Sequence, residues 1–403
     1  MADSIQALES RYVLQTYRRQ PVTFVRGEGV RLFDANGREY LDLLSGIGVA
    51  ALGHAHPGLT RAIADQAKTL LHTSNLFFHP LQGQLAERLA NLSGLPRAFF
   101  CNSGTEAVEA CLKFARRYWY TRREPRAEII ALEGSFHGRT MGALSVTWDA
   151  HYRTPFEPLL PGIRFVPAND SGALLAAVSK TTAAIIAEPI QGEGGVRPLT
   201  PAFATAIGDA CRASGALLIA DEVQSGLGRT GSPFHFETLG MRPHLVSVGK
   251  ALGGGVPIGA ALVGEDVAKT ISFGDHGSTY GGNLLACRAA IYVLDELVGG
   301  GLMAHVGQLG RFFDERLQAI AAKRPIVKDV RGRGLIWGLE LACDAAPVVP
   351  AALEQGVIVN RTAENVVRLL PPLVITEADA AEALNRLDTA LGVVAAANGG
   401  RTN

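Results

Sequence analysis

One lysine is delivered to the end of an apolar run. In Leu245-Val246-Ser247-Val248-Gly249-Lys250 a short valine- and leucine-rich segment leads to Lys250, and Ala251-Leu252-Gly253-Gly254-Gly255 follows at once. Such a run reads as a strand buried on both faces, so its terminal ammonium leaves the strand where water is scarce. Desolvation disfavours the charged form and frees the amine as a nucleophile. Its natural chemistry is a Schiff base with a carbonyl substrate or cofactor. The glycines behind it let backbone approach closely. Alone, the segment fits a surface lysine before a loop better.

Other segments supply what such an amine would need. Asn102-Ser103-Gly104-Thr105-Glu106 lies between a predicted strand, Ala98–Cys101, and a predicted helix. A Ser-Gly-Thr turn at a helix start offers amides, hydroxyls and the positive end of the helix dipole to a phosphate. Asp221 is the first acid after Ala216-Leu217-Leu218-Ile219-Ala220; a carboxylate at a buried strand end needs a cation, and a protonated pyridine nitrogen would serve. In Gly134-Ser135-Phe136-His137-Gly138-Arg139-Thr140, Phe136 could stack on a planar ring and Arg139 could hold a carboxylate bidentately. Each has an ordinary alternative: helix capping, an Asp met by loop amides, a packed aromatic, a surface arginine. Together, at successive strand ends, they describe a pyridoxal phosphate site.

Competing motifs fail on context. Gly226-Leu227-Gly228-Arg229-Thr230-Gly231 matches G-x-G-x-x-G, but Ser232-Pro233-Phe234 follows where a helix should open. Lys250 is followed by Ala251, not Ser or Thr, and lacks the upstream Walker glycine. There is no G-x-S-x-G elbow and no H-E-x-x-H. His54 and His56 invite a metal reading; a loop capping the helix that begins near Pro57 is the better account.

The elements that must position these groups alternate regularly. Helices at 81–92, 105–120, 171–178 and 201–213 separate strands at Ala98–Cys101, Glu128–Leu132, Ala183–Ala187 and Ala216–Ala220, and runs at 245–249 and 258–263 complete the series. This predicts an α/β protein with a mostly parallel sheet, whose ligands sit beyond the carboxyl ends of its strands. Before it come a helix at 3–18 and short strands at 22–26, 30–33 and 39–43; after it, one long helix at 284–322 and a smaller α+β region with strands near 326–331, 335–341, 357–360 and 366–370, helices at 348–355 and 377–395, and a frayed tail. The expected organisation is an N-terminal arm that is also part of a small domain (1–55), a large domain (56–287) and a C-terminal small domain (288–403).

The 403 residues suffice for a large core, and 47% hydrophobic with 19% charged residues is ordinary globular composition. Zero formal charge gives no electrostatic case for nucleic acid or an anionic membrane. Five cysteines without a Cys-x-x-Cys pair argue against a disulfide framework or structural zinc. With no secretory signal and no apolar stretch of membrane-spanning length, a cytoplasmic protein is expected.

From about Tyr17 to Leu373 the sequence resembles the class III (ω-amino-acid) aminotransferases. The resemblance is carried by Asn102-Ser103-Gly104-Thr105-Glu106-Ala107, Phe136-His137-Gly138-Arg139-Thr140, Glu188-Pro189-Ile190-Gln191-Gly192-Glu193-Gly194-Gly195, Asp221-Glu222-Val223-Gln224, Lys250 and His276-Gly277-Ser278-Thr279-Tyr280-Gly281-Gly282-Asn283. It implies the fold type I (aspartate aminotransferase-like) architecture of PLP-dependent transferases: a large, mostly parallel-sheet domain plus a smaller α+β domain. By resemblance, Lys250 holds pyridoxal 5'-phosphate and later shuttles a proton. Ser103, Gly104 and Thr105 bind the phosphate, Phe136 covers the ring, Asp221 pairs with the ring nitrogen, and Val223 packs beneath. Gln224 approaches the phenolic oxygen, and Glu222 counts among the same cofactor-binding group. Thr279 reaches the neighbouring subunit's phosphate, implying a homodimer with shared sites, and Ser278 lies near the substrate.

Arg139 then looks like the clamp for the donor's α-carboxylate, and Arg368, in Val366-Val367-Arg368-Leu369-Leu370-Pro371-Pro372, like the arginine that binds the α-carboxylate of 2-oxoglutarate. Glu193 resembles an acid that pairs with Arg368 while the donor is bound and then swings away. Two arginines suit a dicarboxylate, whereas a donor with one carboxylate would leave the second unpaired at a cost on the order of 3–5 kcal/mol. A movable carboxylate removes that penalty and lets one site serve both halves of a ping-pong reaction. Family members acting on free ornithine carry a tyrosine where Ile47 stands; with Tyr17 lining the same pocket, an apolar Ile47 favours an acylated nitrogen. The expected donor is N2-acetylornithine and the expected acceptor 2-oxoglutarate, which becomes glutamate, a step of arginine biosynthesis. Alternatives are succinylated diaminopimelate, a carrier-linked lysine, ornithine or 4-aminobutyrate as donor; an aminomutase needing no oxo-acid; and a non-catalytic binding protein.

Overall fold

The computed structural model describes residues 5–399. At its centre a seven-stranded sheet runs in the order Arg97–Cys101, Gly259–Val263, Leu245–Val248, Leu217–Asp221, Thr182–Ala187, Glu128–Leu132, Ile163–Val166. Gly259–Val263 runs antiparallel to both of its neighbours, and the remaining pairs are parallel. Successive side chains of these strands enter opposite cores: Ile129 and Ala131 on one face, Ile130 and Leu132 on the other. One face packs on the helix Gly104–Thr121 through Val108, Cys111, Phe114 and Ala115. The other meets Leu85, Leu89, Phe203, Ile207, Ile291 and Leu294 from three more helices. Burial on both faces is why these strands read as unbroken apolar runs.

Two further four-stranded sheets flank this centre. Phe24–Glu28, Arg31–Asp34 and Glu39–Asp42 pair in sequence, and Glu39–Asp42 also takes Val357–Ile358 from the far end of the chain. Val327–Arg333, Ile336–Leu341, Val366–Leu369 and Asn360–Thr362 form an antiparallel sheet. The segment expected as one strand at 357–360 thus divides between two sheets.

Three expectations need correction. The helix expected at 284–322 is two, Leu284–Val298 and Leu302–Lys323, bent by 64°. Gly299-Gly300-Gly301 separates them, and Gly301 adopts φ +70°, a conformation glycine enters without steric cost. The helix expected at 3–18 is described over Ile5–Tyr12 and buries no residue, so no tertiary packing extends it. The closing helix spans Glu377–Gly399, so the expected frayed tail is helical that far; the rest of it lies outside the described residues. Among the described residues no single helix is long and apolar enough to cross a membrane.

Candidate active site

The strand ends converge at the carboxyl edge of the large sheet. Lys250 follows Leu245–Val248 with φ +42°, a left-handed conformation that costs a lysine energy and marks a constrained position. Gly249 precedes it because a Cβ there would lie 3.0 Å from Gly104 Cα. Burial lowers the Lys250 pKa below its ordinary value; Glu193 and Asp221 pull it up and Arg368 pushes it further down. Desolvation outweighs these acids and Glu188 together, so the amine loses its proton more readily than an exposed lysine.

Beside Lys250 the helix Gly104–Thr121 opens. Ser103 caps it, its Oγ accepting from the Glu106 amide at 3.3 Å, while Glu106 accepts from the Asn102 amide at 2.7 Å and from Asn102 Nδ2 at 2.9 Å. A Cβ on Gly104 would sit 2.6 Å from Val223 Cγ1, so only glycine lets the turn lie against Val223. Thr105 Oγ1 lies 2.9 Å from Thr140 Oγ1 and accepts from the Arg139 amide at 3.2 Å. Amides of a first helical turn and paired hydroxyls make an anion cradle.

Asp221 is buried. Its Oδ2 is 2.6 Å from His137 Nδ1, and its Oδ1 accepts from the Val223 amide at 3.1 Å. Glu188 ends the neighbouring strand, accepting from the Phe136 amide at 2.8 Å and the Gly192 amide at 3.2 Å. Burial pushes its pKa up to about 7, against the pull of His137. The chain thereby anchors the Phe136 backbone and orients Asp221 with one set of buried acids and an imidazole.

The opposite wall comes from the C-terminal sheet. Arg368 is fully buried; its Nη1 donates to Glu193 Oε1 at 2.5 Å and Gln224 Oε1 at 3.1 Å, and its Nε donates to Asn360 Oδ1 at 3.2 Å. Among the described residues its Nη2 is buried without a partner, a donor open to an acceptor from a bound ligand. Burial by itself would raise the Glu193 pKa, but Arg368 and Lys250 hold it below the usual carboxylate range. The Glu193 carboxylate remains one-third exposed, on a cleft of about 1200 Å³ also lined by Phe136, Trp148, Tyr152, Gln191 and Thr362.

Of the residues expected from sequence, Lys250, Asp221, Glu193 and Arg368 act on one another's charge, and Ser103, Gly104, Thr105, Val223, Phe136 and Gln224 surround them. Gln224 turns its amide oxygen to Arg368. Glu222 does not face the cleft: its carboxyl accepts from Ser225 Oγ and the Phe236 amide, each at 2.6 Å, so it braces a loop. Ser278 Oγ takes Asn102 Nδ2 at 3.3 Å and the Gly281 amide at 3.0 Å. Thr279 and Tyr17 are exposed, and Ile47 is 40% exposed with φ +66° on a left-handed turn at Ser45–Gly48. Arg139 is exposed, its guanidinium over the Tyr152 ring. His56 caps the helix Pro57–Thr69, and His54 binds Asp42 at 2.8 Å.

Sequence reasoning gave no role to His137, Glu188, Asn360 or Tyr152. Glu188 carries the signal that identified Asp221, being the first acid after an apolar strand. His137 sits inside a motif already singled out. Tyr152, on a four-residue helix, carries no comparable signal.

The donor set fits pyridoxal phosphate on the chain's own geometry. It provides a desolvated amine, an anion cradle that excludes a Cβ at Gly104, a buried carboxylate fixed by an imidazole, and an aromatic at the cleft wall. A family model described as aminotransferase class-III matches residues 12–391. The acetylornithine aminotransferase of Methanocaldococcus jannaschii is 46% identical over 386 residues, covering 94% of this chain and 96% of its own. Among solved structures, the ornithine aminotransferase of Toxoplasma gondii, with partial occupancy of PLP at its active site, superposes with a TM-score of 0.92 at 35% identity, over 96% of this chain and 93% of that one. The N-acetylornithine aminotransferase of Stenotrophomonas maltophilia superposes with a TM-score of 0.84, also at 35% identity, over 97% and 99% of the two chains.

Proposed function

The chain belongs to the class-III aminotransferases, and from that premise we propose that it moves the δ-amino group of N2-acetyl-L-ornithine to 2-oxoglutarate, giving N-acetyl-L-glutamate 5-semialdehyde and L-glutamate. The observation that carries this reading is the buried Arg368 bound to Glu193 at 2.5 Å with its Nη2 unpaired, within electrostatic reach of Lys250. Related enzymes named for N-acetylornithine support the donor, and so does the apolar Ile47.

When bound, pyridoxal 5'-phosphate supplies an aldehyde for the amino group and a ring that withdraws electrons as the substrate carbon loses its proton. Ser103, Gly104, Thr105 and Thr140 would hold its phosphate. Asp221, held by His137 Nδ1 at 2.6 Å, would pair with the ring nitrogen. Phe136 would lie against one ring face and Val223 against the other. Lys250 carries the proton away from the substrate carbon and returns it on the cofactor side, which requires the lowered amine pKa. Arg139 holds the donor's carboxylate, and Glu193 keeps Arg368 paired meanwhile. When 2-oxoglutarate enters, its α-carboxylate takes the place of Glu193 on Arg368.

The working form in this reading is a homodimer. Leu76, Phe78 and Phe273 stand 84%, 107% and 110% exposed, apolar surface that a second copy of the chain would cover. A second copy covering it would bring Thr279 toward the phosphate cradle across the interface. A donor panel with 2-oxoglutarate as the common acceptor tests the assignment. N2-acetylornithine is expected to exceed ornithine, 4-aminobutyrate and N-succinyldiaminopimelate in kcat/KM, and a preference for unblocked ornithine would overturn it. Borohydride reduction followed by peptide mapping is expected to place the cofactor on Lys250, and Lys250→Ala to abolish both the label and turnover.

A further inference from the structure

Arg139 is held differently from the buried acids and from the second arginine of the site. Asp221, Glu188, Glu193 and Arg368 each have polar partners, whereas among the described residues the Arg139 guanidinium makes no hydrogen bond or ion pair. What it has is an aromatic face: its Cζ lies 3.5 Å from the centroid of the Tyr152 ring, and 5.6 Å from that of Phe136. At 3.5 Å the planar guanidinium lies in van der Waals contact with the ring, which restricts its tilt while leaving all its N–H groups free.

The ring is itself fixed. Tyr152 belongs to the short helix Ala150–Arg153, where Asp149 Oδ1 accepts from the His151 amide at 2.9 Å and the Asp149 carbonyl accepts from the Tyr152 amide at 3.1 Å. Its edge meets Phe136 at 6.2 Å and 83°, and both rings line the same cleft. A bidentate contact needs the arginine fork to lie in the carboxylate's plane. A free arginine on an exposed loop would have to lose its rotamer freedom to reach that geometry.

We propose that Tyr152 is a positioning residue for substrate recognition, holding the Arg139 guanidinium flat so that it meets the donor's carboxylate already oriented. This rests on the reading of Arg139 as the carboxylate clamp. The ring makes the contact and the hydroxyl does not, so Tyr152→Phe retains the function and Tyr152→Leu loses it.

The test uses the cofactor-loaded enzyme and N-acetylnorvaline, which has the donor's skeleton and carboxylate but no δ-amine and so cannot react. Its Kd is read by calorimetry, together with KM and kcat for N2-acetylornithine. Cation–π contacts of the usual strength correspond to about 2- to 30-fold in affinity. Tyr152→Leu is therefore expected to weaken N-acetylnorvaline and raise donor KM within that range, with kcat at saturating donor and KM for 2-oxoglutarate little changed, while Tyr152→Phe matches the wild type. Arg139→Gln sets the scale and separates two kinds of failure. If Arg139→Gln weakens N-acetylnorvaline and Tyr152→Leu does not, the positioning role is overturned and the clamp stands. If Arg139→Gln has no effect, the clamp reading falls and the inference with it. A Tyr152→Phe variant as weak as Tyr152→Leu would assign the effect to the hydroxyl and overturn the stacking account.

Discussion

Arg368 and Glu193 pose a selectivity problem that one carboxylate can solve. Arg368 is fully buried and its charge cannot be left bare, yet the two substrates of a ping-pong reaction present different numbers of carboxylates. Glu193 is suited to alternate because its side chain is one-third exposed while its partner is not. Its backbone is pinned, the carbonyl accepting from Thr362 Oγ1, so the side chain can leave Arg368 without dragging the loop. Glu193→Ala is expected to disfavour the one-carboxylate donor and spare the dicarboxylate. Leaving a buried charge unpaired costs on the order of 3–5 kcal/mol, and water entering from the cleft recovers part of it. A shift of at least about tenfold in relative kcat/KM toward glutamate and 2-oxoglutarate follows. Half-reactions followed separately by cofactor absorbance would read this, and an unchanged ratio would remove Glu193 from the switch.

The elements deliver these residues through strand ends, and the loops behind those ends carry their own titratable groups. Glu222 braces the segment after Leu217–Asp221, and burial pushes its pKa up to about 8. Between its ordinary value of 4.5 and about 8 the folded chain keeps this proton while the unfolded chain releases it. The Glu222 contribution is therefore fully present below pH 4.5 and is lost as the pH rises toward 8. Glu222→Gln keeps the acceptor for the Phe236 amide and removes the titration. The fall in thermal midpoint from pH 5 to pH 8 should be smaller in this variant, with Glu188 accounting for a remaining part. An identical fall in both proteins would show that Glu222 is ionised in the fold.

The same elements show what was legible in the sequence. Both-faced burial made the inner strands readable, and their ends marked Asp221, the first acid after its strand, and Lys250 as candidates. Ile163–Val166 was missed because it is an edge strand with an exposed Arg164, which breaks the apolar run. Glu222 was grouped with its neighbours because a motif gives order along the chain and not direction; adjacent residues at a strand end point to different sides. The Tyr152 contact with Arg139 depends on two loops meeting, which no local pattern encodes.

At the scale of the whole molecule the rejected glycine motif acquires a purpose. Arg229, from Gly226-Leu227-Gly228-Arg229-Thr230-Gly231, is 1% exposed and donates through Nη1 to the Leu335 and Pro371 carbonyls at 3.0 and 2.5 Å, while its own carbonyl accepts from the Leu335 amide at 2.9 Å. Gly334 is required there, since a Cβ would meet the Arg229 carbonyl at 2.6 Å. Pro371 lies three residues beyond Arg368, and the adjoining Leu370 bonds Leu43 and Ser45 beside the Ile47 turn. One side chain thus ties the loop after Asp221 to the strand of Arg368 and, through it, to the N-terminal sheet. Among the described residues it does so as a cation with no carboxylate in contact: burial pushes its pKa down to about 9, with Asp42 opposing from a distance. Replacing such a charge by an apolar chain relieves its desolvation while leaving two carbonyls unpaired, and these effects oppose each other. Arg229→Lys keeps the buried charge and loses the fork that spans two acceptors. Stability should therefore fall in the order wild type, Arg229→Met, Arg229→Lys, with the lysine variant weaker by about 1–3 kcal/mol, the cost of a buried carbonyl left unpaired. In both variants the KM for 2-oxoglutarate should rise as Arg368 loses its fixed strand end. Chemical denaturation of the three proteins orders them, and a lysine variant as stable as the wild type would mean that charge alone, without the planar fork, holds the sheets together.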